Sequence, residues 1–247
     1  MTGSSGLLVT EHDDRWHVTL NRPDVRNAID QAMVDAFHEV CQELERNPRV
    51  LIISGSGGVF ASGADIRQLL ERRSADAHAG INSNLFLRIA ALPMPVIAAI
   101  DGYALGGGAE LAYAADFRIA STMAKIGNPE PGLGIIAAAG ALWRLTELVG
   151  EPIAKEVLLA GRILTAQEAL LVHLVTEVHE PGALLAAADA LADRILAWDP
   201  RALQLTKSVL AAPRSEHPRV DEIAQAELFE SEQKLARMTA FLERRKR

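Results

Sequence analysis

A strand-like apolar run that leads straight into a glycine-rich loop and then into a helix occurs twice in this chain. VLIIS, from Val50, runs into GSGGVFASGAD, and PVIAAID runs into DGYALGGGAE, so the recurring units cover Ser54–Asp65 and Asp101–Glu110. Buried strands alternating with helices call for a parallel α/β core. Glycines behind a strand turn the backbone sharply and let another group approach main-chain N–H groups with no Cβ in the way. Where a helix starts there, its first N–H groups lack internal partners and its dipole favours negative charge. Two such loops facing each other can hold one oxygen between two N–H donors, an oxyanion hole. Phosphate binding and simple tight packing are the competing uses. The first loop lacks the lysine and hydroxyl of a Walker A loop, and neither loop spells GxGxxG.

Around these units the periodicity is readable. GLLVT and RWHVTLN form a predicted hairpin across the turn EHDD. Met33, Phe37, Val40 and Leu44 share one face of a helix predicted from Asp30, its N-cap, to Arg46. A short polar helix is expected over Asp65–Arg73, a further helix over Ile81–Ala90, a short one from about Gly108, and a strand at DFRIAS. From about Gly140 the chain reads as almost wholly helical, with Pro152, Pro181, Pro200, Pro213 and Pro218 as punctuation and the basic tail ERRKR at its end. No long linker or low-complexity segment intervenes, which gives an α/β core over 1–190 and a helical region over 191–247.

Composition narrows the function classes. A formal net charge of −7 argues against a general nucleic-acid binder. Cys41 is the single cysteine, which excludes a disulfide framework or a cysteine-rich zinc site and fits a reducing cytosol. MTGSSGLLVTEHDD carries no basic n-region or long apolar run, so no secretory signal and a cytoplasmic location are expected. The apolar stretches near 95–109 and 132–143 are interrupted by Asp101, by glycines and by proline, and do not read as membrane spans. The seven histidines, His12, His17 and His38 among them, show no ligand-like pairing, and no metal site is expected.

Two glutamates stand out. Glu110 sits among Leu111, Ala112, Tyr113, Ala114 and Ala115, on a helix that is apolar nearly all round and is therefore expected to be buried. A carboxylate near a helix N-terminus is also stabilised by the dipole, so a structural role is the alternative. Glu130 is held between Pro129 and Pro131, whose rings fix the local backbone; an exposed turn glutamate is the alternative there. The apolar LGIIAAAGALW that follows suits the wall of an acyl pocket. Partial burial raises a glutamate pKa towards neutrality, so one carboxyl can hold a proton while the other accepts one beside a carbonyl.

Taken in order, NRPDVRNAI at Asn21, GVFASGADI, PVIAAIDGYALGGGAELA, NPEPGLG and GRILTAQEAL resemble the crotonase family, also called the enoyl-CoA hydratase/isomerase family. The resemblance covers nearly the whole chain. It implies a spiral of repeated strand–strand–helix units with an α-helical C-terminal region that packs on the core and on neighbouring subunits, as a homotrimer or a homohexamer. It implies an acyl-CoA thioester substrate, coenzyme A entering only as part of that substrate, and no metal or redox cofactor. Matching SGAD and LGGGAE, the oxyanion-hole N–H groups fall on Ala64 and Gly107, and the hydratase glutamates on Glu110 and Glu130. Hydratases with both add water across the trans-2 double bond of an enoyl-CoA to give a 3-hydroxyacyl-CoA, as in fatty-acid or related acyl-CoA breakdown. Isomerases and several other branches often keep only the second. An isomerase or other acyl-CoA reaction on the same oxyanion hole is the alternative, and a non-catalytic acyl-CoA-binding subunit a third.

The resemblance also places Arg26, Ala28, Ala61, Ala64, Asp65, Ile66 and Gly107 along the substrate and its coenzyme. Arg22, Arg26, Lys207 and Lys246 of a neighbouring subunit are candidates for the phosphates, with ordinary surface charge as the alternative for each. The chain departs from the family after Glu130. Pro131 follows directly, Ala137 and Ala138 stand where a Pro-Gly pair is common, and Ala141 follows Gly140 where a second glycine is common. The added methyls at this helix start bear on pocket width and on the backbone donors near the water.

Overall fold

The hairpin forms as expected: β1 (Leu7–Glu11) pairs antiparallel with β2 (Arg15–Leu20), Leu7 opposite Leu20. The computed structural model describes residues 6–245. Helix α1 (Gln31–Arg46) is capped by Asp30, whose Oδ1 accepts from Met33 N at 2.9 Å. Its buried face carries Met33, Phe37, Val40, Cys41 and Leu44. Fully burying a side chain such as Phe37 contributes roughly 1.5–3 kcal/mol, which outweighs the modest propensity of this sequence for helix. Burial among these apolar neighbours pushes the Cys41 thiol up to about 12, so it is inert packing.

β3 (Val50–Gly55) lies parallel to β2. After the first glycine loop come three short helices, α2 (Ile66–Glu71), α3 (Ser74–Ala79) and α4 (Ile81–Ala90). β4 (Val96–Ile100) pairs parallel with β3, and every one of its residues is buried, as an apolar run without alternation requires. Next are β5 (Tyr103–Leu105), α5 (Gly107–Ala114), β6 (Phe117–Ser121) and β7 (Lys125–Gly127). Beyond them lie α6 (Ala141–Val149), α7 (Glu151–Leu158), β8 (Leu164–Thr165), α8 (Ala166–Leu171) and β9 (Glu177–His179).

Two sheets result, one ordered β1-β2-β3-β4-β6-β9 and a smaller one ordered β5-β7-β8. β4 enters the large sheet, β5 the small one, and α5 follows; β6, β7 and α6 repeat the sequence. β3, a single bridge at Ala61 to Ala104 of β5, and α2 make an earlier turn of the same kind. The expected strand–strand–helix spiral is thus present.

The expectation of an almost wholly helical chain after Gly140 is corrected by β8 and β9. Two and three residues are too short to leave a period-two signal between helices. β5 and β7 escaped for the same reason, and α3 was not foreseen. The α8 start is firmly set by a capping box: Thr165 Oγ1 accepts from Glu168 N at 3.2 Å and Glu168 Oε2 accepts from Thr165 N at 2.8 Å. The residues divide into two compact units between Ala192 and Asp193, and α9 (Leu184–Leu196) spans that boundary. The second unit holds α10 (Pro200–Leu210), capped by Asp199, then α11 (Arg219–Phe229) and α12 (Glu232–Arg244). Among the described residues no helix is long and apolar enough to cross a membrane.

Candidate active site

The second loop spends its three glycines in three ways. Gly106 has φ +54°, and a Cβ there would lie 3.2 Å from Glu130 Oε1. A Cβ on Gly107 would lie 3.4 Å from Ala64 N, so this glycine leaves open the space onto which both loops face. A Cβ on Gly108 would come within 2.3 Å of the Ala61 carbonyl oxygen, so this glycine lets α5 press against the first loop.

The first loop is pinned from outside. Asn27, fully buried, donates from Nδ2 to Ser56 O at 2.9 Å and to Val59 O at 2.6 Å. Ile29 bridges to Ala64: Ile29 N donates to Gly63 O at 2.8 Å and Asp65 N to Ile29 O at 2.9 Å. These bonds flank Ala64, and among the described residues its own N–H has no backbone acceptor. Gly107, the first residue of α5, has an N–H that no intrahelical carbonyl can satisfy. Two unspent N–H groups therefore border one pocket, whose lining includes Ala64, Gly107, Glu110 and Glu130. Ile66, Leu69, Leu133, Ile135 and Ile136 give it an apolar wall.

Glu110 is 3% exposed. Its Oε1 accepts from Ala139 N at 2.7 Å and Ala141 N at 3.1 Å, so the alanine-rich turn supplies two donors to it. The Ala137 and Ala141 methyls are buried, and Ala138 lines the pocket. Desolvation lifts the Glu110 carboxyl to about 7; the two backbone donors oppose the rise and the neighbouring Glu130 charge adds to it. Glu130 opens a 3-10 turn, Glu130–Leu133, set by Pro129 and Pro131. Burial raises its carboxyl too, against a hydrogen bond from Asn128 Nδ2 to Oε1 at 3.4 Å. Its Oε2 is enclosed and has no hydrogen-bond partner among the described residues. Asn128 is itself held by Tyr113, whose hydroxyl donates to Asn128 Oδ1 at 3.0 Å.

The remaining sequence candidates fall into different places. Ile66 lines the pocket. Ala61 is wholly buried, its N–H donating to Tyr103 O and its carbonyl accepting from Leu105 N, and it fastens the two loops together. The Ala28 carbonyl accepts from Arg22 Nη1 at 2.6 Å. Asp65 caps α2; burial raises its carboxyl, yet the Arg22 hydrogen bond and the Gln68 and Arg67 N–H groups hold it below the usual range. Arg22 spends its guanidinium on Asp30 and Asp65, at 3.1 and 3.2 Å, and is a buttress of the first loop. Arg26, in the left-handed region at φ +54°, is exposed. Lys207 lies in the last turn of α10, and Lys246 lies outside the described residues. Sequence reasoning missed Asn27, Tyr113 and Asn128. Buried asparagine and tyrosine leave no periodic signal; only the Asn-Pro-Glu order placed Asn128 next to the acid.

A spiral of this kind with paired N–H donors and two buried carboxyls defines a class, and comparison with known proteins gives the same one. The family model described as Enoyl-CoA hydratase/isomerase matches residues 15–247. The short-chain-enoyl-CoA hydratase of Clostridium acetobutylicum is 38% identical over 240 residues, 93% of this chain and 91% of that protein. The crotonyl-CoA hydratase of Syntrophomonas wolfei is 37% identical over 97% of this chain and 96% of its own length. The structure of an enoyl-CoA hydratase from Bacillus anthracis superimposes with a TM-score of 0.91 at 31% identity, covering 97% of this chain and 96% of that one. The chain belongs to the enoyl-CoA hydratase/isomerase family, the crotonase family.

Proposed function

We propose that the protein is an enoyl-CoA hydratase that adds water across the trans-2 double bond of an enoyl-CoA to give a 3-hydroxyacyl-CoA. The observation that carries the reading is the pair of buried, electrostatically coupled carboxyls, Glu110 and Glu130, in the pocket onto which the Ala64 and Gly107 N–H groups open. Those N–H groups hold the thioester oxygen and favour the enolate that forms when C3 is attacked; one such donor is worth about 2.7–4 kcal/mol in a barrier.

Burial raises both carboxyls and the Glu130 charge adds to the rise at Glu110, so the pair is suited to share one proton. Glu110, lifted to about 7 in the free protein, takes the ionised role in turnover, where its Oε1 keeps two N–H donors to the carboxylate. Glu130 holds the proton on Oε2, the oxygen without a partner. Water gives a proton to Glu110 as its oxygen bonds to C3, the double-bond electrons move onto the thioester carbonyl, and Glu130 delivers its proton to C2. Passage of the proton from Glu110 back to Glu130 restores the starting state, with no net oxidation or reduction. The relatives named for short-chain and crotonyl substrates support a short acyl group.

The test is turnover of crotonyl-CoA, followed by loss of the conjugated thioester absorbance and identification of the product by mass. A product heavier by one water is expected, with kcat lowered about 10²–10⁴-fold in Glu130→Gln. An isomer of unchanged mass, from a longer enoyl-CoA, would make the protein an isomerase. Binding without turnover would make it an acyl-CoA-binding subunit.

A further inference from the structure

Helix α4 presents a buried stripe at 82, 85, 86 and 89, and the last three positions are Leu85, Phe86 and Ile89. This is the i, i+3, i+4, i+7 spacing of a core-facing helix, and an apolar side chain belongs at its first position. The residue there is Asn82, 8% exposed. Its Oδ1 is enclosed with no partner. No hydrogen bond from Nδ2 is formed among the described residues either. The buried amides of Asn27 and Asn128 are both hydrogen-bonded, so Asn82 is an exception that the fold itself does not explain.

Its position supplies an explanation. Asn82 lines the same pocket as Glu110 and Glu130. Its Nδ2 lies 3.5 Å from the point that a Cβ on Gly107 would occupy, and Ala64 N lies 3.4 Å from that point. The open face of Gly107 is therefore bordered by one unspent backbone N–H and one unspent side-chain amide, with the Gly107 N–H beside them.

We propose that the Asn82 carboxamide is a third substrate-binding donor of this site, giving an N–H from Nδ2 to the thioester carbonyl oxygen alongside the two backbone donors. The proposal rests on the pocket being an acyl-CoA site, and not on which reaction follows. A side chain left unpaired until substrate arrives gains its bond only in the complex, and gains more as negative charge builds on the oxygen. Such an interaction favours the transition state over the ground state.

The experiment uses full-length Asn82→Leu and Asn82→Asp proteins. Leucine completes the stripe and removes the donor; aspartate keeps the shape and replaces the amide N–H with a carboxyl. One readout is kcat and KM for crotonyl-CoA. The other is the absorption of bound 2,4-hexadienoyl-CoA in a Glu130→Gln background, since a conjugated thioester absorbs at longer wavelength when its carbonyl is polarised. Both variants are expected to lower kcat on the order of 10²-fold with a much smaller change in KM, and to reduce the red shift. Asn82→Leu is expected to melt at or above the parent temperature, where a merely structural asparagine would melt lower. A parental red shift and kcat in folded Asn82→Leu overturns the proposal. If the parent binds the dienoyl-CoA but does not hydrate crotonyl-CoA, the hydratase reading fails and the Asn82 dependence of the shift still decides this one. If the parent does not bind it, the acyl-CoA site itself is wrong and the proposal falls with it.

Discussion

In Ser54–Asp65 the exposed glycines are present for backbone angle: Gly57 and Gly58 have φ of +69° and +70°, and a Cβ on Gly58 would find nothing nearer than Asp101 Oδ2 at 3.9 Å. In Asp101–Glu110 Gly108 has an ordinary helical φ, and space is its reason, since a Cβ would strike the Ala61 carbonyl oxygen. The first loop is fastened from outside, through Asn27 and Ile29, and contributes one N–H. The second begins a helix, contributes its own N–H, and carries Glu110 less than a turn further on. Both loops use glycine in both ways, since a Cβ on Gly55 of the first would meet Val59 O at 2.0 Å and Gly102 and Gly106 of the second have φ of +57° and +54°. The exposed tip of the first serves conformation alone, and Gly108, two residues before the acid, serves close approach alone.

The comparison is broken most severely by removing that acid. Glu110→Gln is expected to lower kcat for crotonyl-CoA by about 10²–10⁴-fold, while Ala139 N and Ala141 N still find an acceptor in the amide oxygen. Stability should move the other way. A carboxyl lifted from 4.5 to about 7 on folding contributes stability that is fully present below pH 4.5 and lost as pH rises through 7. That rise of roughly 2.5 units corresponds to on the order of 3 kcal/mol. The parent is therefore expected to lose melting temperature between pH 5 and 8 more steeply than Glu110→Gln, which should be the more stable of the two at pH 8. Equal slopes would mean that Glu110 is solvated and ionised throughout.

The next largest effect falls on packing. In an ordinary helix, Gly→Ala gains up to about 1 kcal/mol. At Gly108 the new methyl would sit 2.3 Å from Ala61 O and 2.7 Å from Ala61 Cβ, on a backbone held at both its N–H and its carbonyl. Gly108→Ala is expected to destabilise by about 2 kcal/mol in urea unfolding, with reduced turnover because the two N–H donors separate. A stabilised, fully active variant would show that the loops do not press together.

How much of this was legible in the sequence follows from the length of each signal. The α1 stripe, the two buried strands and the strand–loop–helix units each extend over enough residues to show a period, and the ordered motifs placed Ala64, Gly107, Glu110 and Glu130 in one pocket. β5, β7, β8 and β9 span two or three residues each and show none. The partners of the acids were hidden for another reason. That Tyr113 orients Asn128, or that Asn82 stands unpaired beside Gly107, depends on contacts across the fold rather than on spacing along the chain. Ala61 shows the converse: it stands in the motif at the pocket, and only the fold shows that both its backbone groups also join the loops.

The smallest effect tests the conformational half of the comparison. Gly58 is exposed and lies in the left-handed region, where a Cβ costs about 1–2 kcal/mol against its own carbonyl. The space around it is open, so nothing else in the loop has to shift. Gly58→Ala should lower unfolding stability by about 1 kcal/mol and leave kcat and KM for crotonyl-CoA unchanged, because the Ile29 bridge holds Ala64 independently of the loop tip. A loss of turnover in this variant would mean that strain at Gly58 reaches the Ala64 N–H past both Asn27 and Ile29. The first loop would then act as one rigid piece.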